Sequence, residues 1–160
     1  MLFTGHYEHL IDAKNRLAIP ADIRARWSAI ECGEAWYALP WPTRVIRLYT
    51  EADFTARAAH YRSSLTPDPN MAELQVRLFG MASRLEMDSA GRIRLPERML
   101  SYTRLTREVV LVGAGEWLEV RDRGPWLADM DTMLDQLPEL MARTEPRPEP
   151  RDHPPVNGAL

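Results

Sequence analysis

The chain is poor in cysteine, in lysine and in long hydrophobic runs. Cys32 is its one cysteine among 160 residues, so no intramolecular disulfide can form and a zinc site with paired cysteines is excluded. The longest apolar runs are only a few residues, far short of the roughly 20 that a membrane-spanning helix needs. The start also lacks the basic and then apolar layout of a signal peptide. These absences favour a cytoplasmic protein without a membrane partner.

Lysine is nearly absent, because Lys14 is the one lysine among 20 basic residues. The formal net charge of −3 is unusual for a nucleic-acid binder, but the charges are unevenly distributed. Residues 84–107 hold six arginines against three acidic residues, and residues 108–142 hold two against eight. A locally basic surface can bind nucleic acid on a protein that is acidic overall.

One pattern occurs twice, as DAKNRLAIP at residues 12–20 and DSAGRIRLP at residues 88–96. At this offset of 76, the apolar positions of the first copy align with apolar positions of the second, namely 17, 19 and 23 with 93, 95 and 99. A unit of about 45 residues is too small to bury a core comfortably alone. We therefore predict two pseudo-symmetric repeats that pack together, at residues 7–54 and 83–126.

The segments outside the repeats have different patterns. Apolar residues recur at helical spacing after the first repeat and again after the second, which predicts a helical connector over 55–82 and a C-terminal helix over 127–142. Residues 143–160 are rich in proline and hold few apolar residues, so we expect a disordered tail. Strand and helix patterns together predict an α+β protein.

Each copy of the pattern places an aspartate four residues before an arginine, as Asp12 and Asp88 do. The residue just before each arginine is Asn15 or Gly91, and both types tolerate the positive φ of a tight turn. The carboxylate can bond the turn backbone or hold the guanidinium in one rotamer. The alternative is a salt-bridged turn that only stabilises the fold. Because the motif occurs twice, we favour a role in binding.

The arginines of the two turns, Arg16 and Arg92, are the candidates for contact with a partner. A guanidinium held in one position suits bidentate recognition of a guanine edge or of a phosphate. Lys14 adds a point charge at the tip of the first turn, where Ala90 stands in the second. The two copies therefore need not bind a partner equally.

The two motifs, with the stretches FTGHYEH, VIRLYTEADF and EVVLVGAGEWLEV, resemble the MraZ family of bacterial transcriptional regulators over roughly residues 3–130. The resemblance implies tandem SpoVT-AbrB-type domains in a double-split, swapped-hairpin β-barrel, and ring-shaped homo-oligomers. It also implies a nucleoid-associated protein that binds promoter direct repeats controlling cell-division and cell-wall genes. The residues that it maps to the DNA interface are Lys14, Asn15, Arg16, Gly91 and Arg92, with Asp12 and Asp88 orienting the motif.

Two other classes of function were weighed against DNA binding. The candidate parts of an enzyme are Cys32, His6, His9 and His60, but none stands in a recognisable catalytic or metal-ligand pattern. We expect no catalysis, cofactor, metal or small-molecule substrate. An AbrB-like antitoxin whose main partner is a protein is the closer alternative, and the tail at residues 143–160 keeps it open. Such antitoxins are usually much shorter, with one domain of this kind, and this tail lacks the apolar anchors expected for toxin binding.

Overall fold

The computed structural model describes residues 1–61 and 65–144. Six helices and eight strands lie within these ranges, in the order β1 His6–Leu10, β2 Arg16–Ala18, α1 Ala21–Ala25, α2 Ala29–Cys32, β3 Ala35–Trp41, β4 Val45–Thr50, α3 Glu51–Ala59, α4 Pro69–Met81, β5 Ser83–Glu86, β6 Arg92–Arg94, α5 Glu97–Thr103, β7 Glu108–Gly113, β8 Leu118–Asp122 and α6 Arg123–Thr144. By compactness the chain divides into Met1–Leu127, which holds all these strands, and the part from Ala128 onward. None of the described helices is both long and apolar enough to cross a membrane.

Strands from the two predicted repeats are interleaved in one antiparallel sheet of order β1-β7-β8-β4-β3-β5. The edge strand β1 comes from the first repeat but pairs with β7 of the second, and β5 makes the reverse exchange by pairing with β3. The centre is the β4–β8 pair, in which Arg47 lies directly opposite Glu119. Neither half of the sheet is complete without strands from the other repeat.

A separate two-stranded ribbon joins β2 to β6, with Leu17 directly opposite Ile93. These two residues are 76 apart, which is the offset of the repeated pattern. A two-fold relation between the copies requires an antiparallel pair in which the central residues face each other and the first residue of each strand faces the third residue of the other, as Arg16 faces Arg94. The residues aligned by that offset are buried in a single core cluster, as Leu17, Ile19, Ile23, Ile93, Leu95 and Met99.

Local sequence signals explain where several helices begin. Pro20 and Pro96 end the two ribbon strands and stand immediately before α1 and α5, since proline cannot donate to a ladder but its φ suits a helix start. Thr50 caps α3 by accepting a hydrogen bond from the N–H of Asp53 at 3.0 Å. Asp68 caps α4 through the N–H groups of its first turn.

The α+β class is confirmed, whereas the described strands form an open sheet and a ribbon and not a closed barrel. β1 and β5 are the exchanged edge strands of the sheet, and β3 is the strand that pairs with β5. In the region of the predicted helical connector, α3 ends at Ala59 and α4 spans Pro69–Met81. α6 begins at Arg123 and continues through Thr144, so the described part of the predicted tail is helical and the rest lies outside the described residues.

Candidate nucleic-acid interface

The first turn is organised by the carboxylate of Asp12. Its Oδ1 accepts hydrogen bonds from the backbone N–H groups of Lys14 at 2.8 Å and Arg16 at 2.9 Å. The backbone carbonyl of Asp12 accepts from the N–H of Asn15 at 2.9 Å, which closes a four-residue turn. Asn15 has a φ of 60°, a left-handed conformation that asparagine adopts more readily than most residues. The predicted turn is therefore present, with asparagine at its left-handed position.

The second oxygen of the same carboxylate holds the arginine. Oδ2 of Asp12 accepts a hydrogen bond from Nε of Arg16 at 2.7 Å. The backbone N–H of Arg16 is the main cause that lowers the pKa of Asp12 to about 2, and the guanidinium of Arg16 and the N–H of Lys14 add to it. The carboxylate is thus ionised at neutral pH. Of the three guanidinium nitrogens of Arg16, only Nε donates a hydrogen bond within the described chain. Its two terminal nitrogens can therefore donate to a partner.

The second turn repeats this geometry around Asp88. Its Oδ1 accepts from the N–H groups of Ala90 and Arg92, both at 3.0 Å, and its Oδ2 accepts from Nε of Arg92 at 2.9 Å. Gly91 has a φ of 72° at the position that corresponds to Asn15. The side chain of Arg92 is the main cause that lowers the pKa of Asp88. Both copies therefore use one carboxylate to hold the turn and its arginine.

The β2–β6 ribbon brings the two turns together in a single surface. Each turn accepts a hydrogen bond from the strand of the other copy, since the N–H of Ile19 donates to the carbonyl of Gly91 at 2.9 Å and the N–H of Leu95 donates to that of Asn15 at 2.8 Å. The side chains of Leu17 and Ile93 are buried on the inner face. The alternation of strand side chains places the neighbouring residues on the opposite face, which we call the ribbon face: Arg16, Ala18, Arg92 and Arg94.

The ribbon face is basic and only partly covered. The side chains of Arg16 and Arg92 are 31% and 34% exposed, and Lys14 is exposed at the tip of the first turn. This surface therefore holds four cationic side chains, those of Lys14, Arg16, Arg92 and Arg94, and two carboxylates, those of Asp12 and Asp88. A short ribbon with fixed guanidinium groups can place them against base edges or phosphates.

Arg94 is a residue of this surface that the sequence analysis did not assign to the DNA interface. It lies opposite Arg16 in the register and is exposed. The signal that points to it is the repeat itself, because a two-fold pairing of β2 with β6 sets each strand's third residue against the other's first. Arg84, in β5, also belongs to the arginine-rich stretch 84–107, but its side chain bonds Glu51 and Glu86.

The residues considered for catalysis are not assembled into a site. His6 and His9 both lie in β1, three residues apart and so on opposite faces of the strand. Cys32 is buried in α2, and His60 follows the end of α3. The described residues contain no group of three histidine, cysteine or acidic side chains placed to hold a metal ion.

The fold and the site are those of an α+β protein with a duplicated Asp–Arg turn. Residues 78–138 match the family model described as "MraZ protein, putative antitoxin-like". The chain is 34% identical over 131 residues to the transcriptional regulator MraZ of Nitrosomonas europaea, covering 82% of this chain and 88% of that protein. It is 32% identical over 145 residues to the protein of the same name from Dictyoglomus thermophilum, covering 89% and 95%. The chain belongs to the MraZ family.

Proposed function

We propose that this protein is a sequence-specific DNA-binding transcriptional regulator. The observation that carries the proposal is the ribbon, which has one Asp–Arg turn at each end and both arginines on one partly exposed face. The relatives named transcriptional regulators support the same class. The contacting residues are Lys14, Asn15, Arg16, Gly91 and Arg92, with Arg94 beside them and with Asp12 and Asp88 as orienting residues.

The dimensions and chemistry of the ribbon suit double-stranded DNA. The major groove, about 12 Å wide, admits a two-stranded β-ribbon. An arginine held by a carboxylate presents its remaining N–H groups in a fixed direction, which suits contact with guanine O6 and N7. In Arg92, Nη2 also lies 2.8 Å from Oδ2 of Asp88. Lys14 and the backbone N–H groups of the turns are suited to phosphates, which position a protein without reading sequence. In this arrangement the arginines read the bases, and the tips of the turns position the protein on the phosphates.

The same proposal includes the assembly. In it, two tandem SpoVT-AbrB-like repeats, 7–54 and 83–126, together build a double-split barrel, in which the ribbon strands β2 and β6 adjoin the edge strands β1 and β5 of the open sheet. One ribbon offers few cations, so specific binding at physiological salt needs several protomers. A ring of identical protomers on adjacent promoter direct repeats gains effective concentration, roughly 10²–10⁴ in affinity. Its target is its own cell-division and cell-wall gene cluster, and it works in the nucleoid.

A mobility-shift titration tests the proposal against the DNA upstream of the protein's own gene. Wild type is compared with Arg16→Ala and Arg92→Ala over a salt series, and with Arg44→Ala, which removes an exposed arginine from the β3–β4 connection. Each ribbon variant should lose about 1–3 kcal/mol of binding free energy and relax sequence preference. The control should bind like wild type. If both ribbon variants bind like wild type, the assignment of the interface is wrong.

An antitoxin-like role is the second candidate, favoured by the description of the matching family model. In that role the main partner is a protein, and stable co-purification with one polypeptide is the expected sign. Light scattering measures whether the protein forms the homo-oligomer that the DNA-binding proposal requires. A monomer at working concentration would contradict the proposed avidity.

A further inference from the structure

The second turn lacks the cation at its tip that the first turn carries. Ala90 occupies the position of Lys14, so the second copy alone presents only Arg92 near its tip. Arg24, which belongs to α1 of the first repeat, lies over this turn. A Cβ atom at Gly91 would stand only 2.3 Å from Cδ, 2.7 Å from Nε and 2.9 Å from Cζ of Arg24. The end of the Arg24 side chain therefore rests directly on the Gly91 backbone.

Two further features keep the guanidinium of Arg24 at this position. Its Nε donates a hydrogen bond to the carbonyl of Ile19 at 3.0 Å, and the N–H of Ile19 is itself bonded to the carbonyl of Gly91. Arg24 forms no ion pair with any described carboxylate, and it is classed as exposed. Its charge is thus fixed in place and not neutralised by a carboxylate in the described chain.

The corresponding side chain in the second repeat cannot play this part. Leu100 is 76 residues after Arg24, and it packs against the hydrophobic core. Leucine has neither a charge nor a hydrogen-bond donor. The first repeat thus supplies a cation to the turn of the second, which has no lysine, whereas the second repeat supplies none to the turn of the first.

We propose that Arg24 is part of the DNA interface and supplies to the second turn the phosphate-binding cation that Lys14 supplies to the first. The inference rests on the proposed function and adds a partner group for this turn, a phosphodiester oxygen. Each turn then presents two cations, Lys14 with Arg16 and Arg24 with Arg92. The second pair comes from two different repeats, and Gly91 leaves the space that the end of the Arg24 side chain occupies, because a Cβ atom there would displace it.

The test compares the salt dependence of DNA binding for wild type, Arg24→Gln and Arg24→Gln/Ala90→Lys. The glutamine amide can still donate to Ile19 but carries no charge. Each phosphate contact contributes about 0.9 to the slope of log K against log salt concentration on B-DNA, so Arg24→Gln should lower the slope by about one per bound protomer. Sequence preference should stay unchanged. Adding a lysine at position 90 should restore the slope, because it returns a cation to the same turn.

Two controls separate charge from folding and from the helix as a whole. Arg26→Gln removes a cation from just after the same helix, at a side chain that bonds the carbonyls of Leu2 and Asp22, and should leave the slope unchanged. Arg24→Lys keeps the charge and should keep the slope, which makes the test independent of any loss of stability in the glutamine variant. If Arg24→Gln binds DNA with the wild-type salt slope, or if Arg24→Lys loses as much slope as Arg24→Gln, this inference is wrong while the proposed function stands. Absence of specific DNA binding by wild type overturns the proposed function as well.

Discussion

The two turns have the same backbone and different tips. Both close around an aspartate, both have a left-handed residue before the arginine, and each accepts a hydrogen bond from the other's strand. The first turn carries Lys14 and Asn15, and the second carries Ala90 and Gly91. Arg24 covers the second turn, whereas the residue 76 positions later, Leu100, packs into the core.

This difference separates the parts of the motif that folding needs from those that binding can vary. The carboxylate, the left-handed position and the buried ribbon residue are needed to form the ribbon, and both copies keep them. The cations beyond Arg16 and Arg92 do not contribute to the turn hydrogen bonds through their side chains, and they come from different places in the two copies. A symmetric scaffold therefore presents an asymmetric set of charges.

We expect the largest effect from substitutions in the core, which test whether the two copies contribute equally to stability. Leu17→Ala and Ile93→Ala each remove a fully buried side chain, and each should lower the free energy of unfolding by about 2–5 kcal/mol. Because the two side chains face each other, the double variant should depart from additivity. Urea unfolding measures all three. The control Leu10→Ala, at an exposed side chain, should change stability by less than about 0.5 kcal/mol, and a similarly small effect of either core variant would contradict a shared core.

An exchange of the left-handed residues should have a smaller, unequal effect. Gly91→Asn keeps a residue that tolerates positive φ but forces Arg24 away, so we expect a loss of about 1 kcal/mol in unfolding free energy. Asn15→Gly should stay within about 0.5 kcal/mol, because glycine adopts this φ freely. Equal destabilisation by the two exchanges would show that Arg24 does not distinguish the turns.

Lys14 allows the charge difference to be tested at the first turn. Lys14→Ala should lower the salt slope of DNA binding by about one per bound protomer while leaving sequence preference intact. Lys14→Arg, which keeps the charge, should bind with the wild-type slope. A change of sequence preference in Lys14→Ala would mean that the lysine contacts a base edge and not a phosphate.

The smallest expected effect is the pH dependence of the two aspartates. The pKa of Asp12 falls from 3.8 to about 2 on folding, and that of Asp88 is also lowered. A lowered folded-state pKa stabilises the protein above about pH 4, and this contribution is lost as the pH falls toward 2. The stability difference between wild type and Asp12→Asn should therefore shrink over that range in urea titrations. A difference that is constant with pH would contradict the ionised Asp12–Arg16 pair.

The local features of the site could be predicted from the sequence because they depend on neighbours in the chain. Asp12 and Arg16 are close enough to bond within one turn, and residue type alone indicated left-handed backbone at Asn15 and Gly91. The apolar positions aligned by the repeat were likewise recognisable as core residues.

The remaining features depend on contacts between distant segments. The position of Arg94 opposite Arg16 follows from strand register, and that of Arg24 on Gly91 follows from the packing of α1 against the other copy. The edge strands β1 and β5 alternate weakly in polarity and contain histidine, arginine and glutamate. Their strand structure comes from pairing with β7 and β3, which no local pattern indicates.

Photo-crosslinking from the ribbon face tests the central claim most directly. A benzoylphenylalanine placed at Ala18, between the arginines of the ribbon, should crosslink to DNA containing the upstream repeats. The same group at Ile30, an exposed residue of α2, should not. Efficient crosslinking from position 18, lost when competitor DNA carries the same repeats, is the result that the ribbon account predicts. Crosslinking from position 30 but not from position 18, in a variant that still binds DNA, would contradict it.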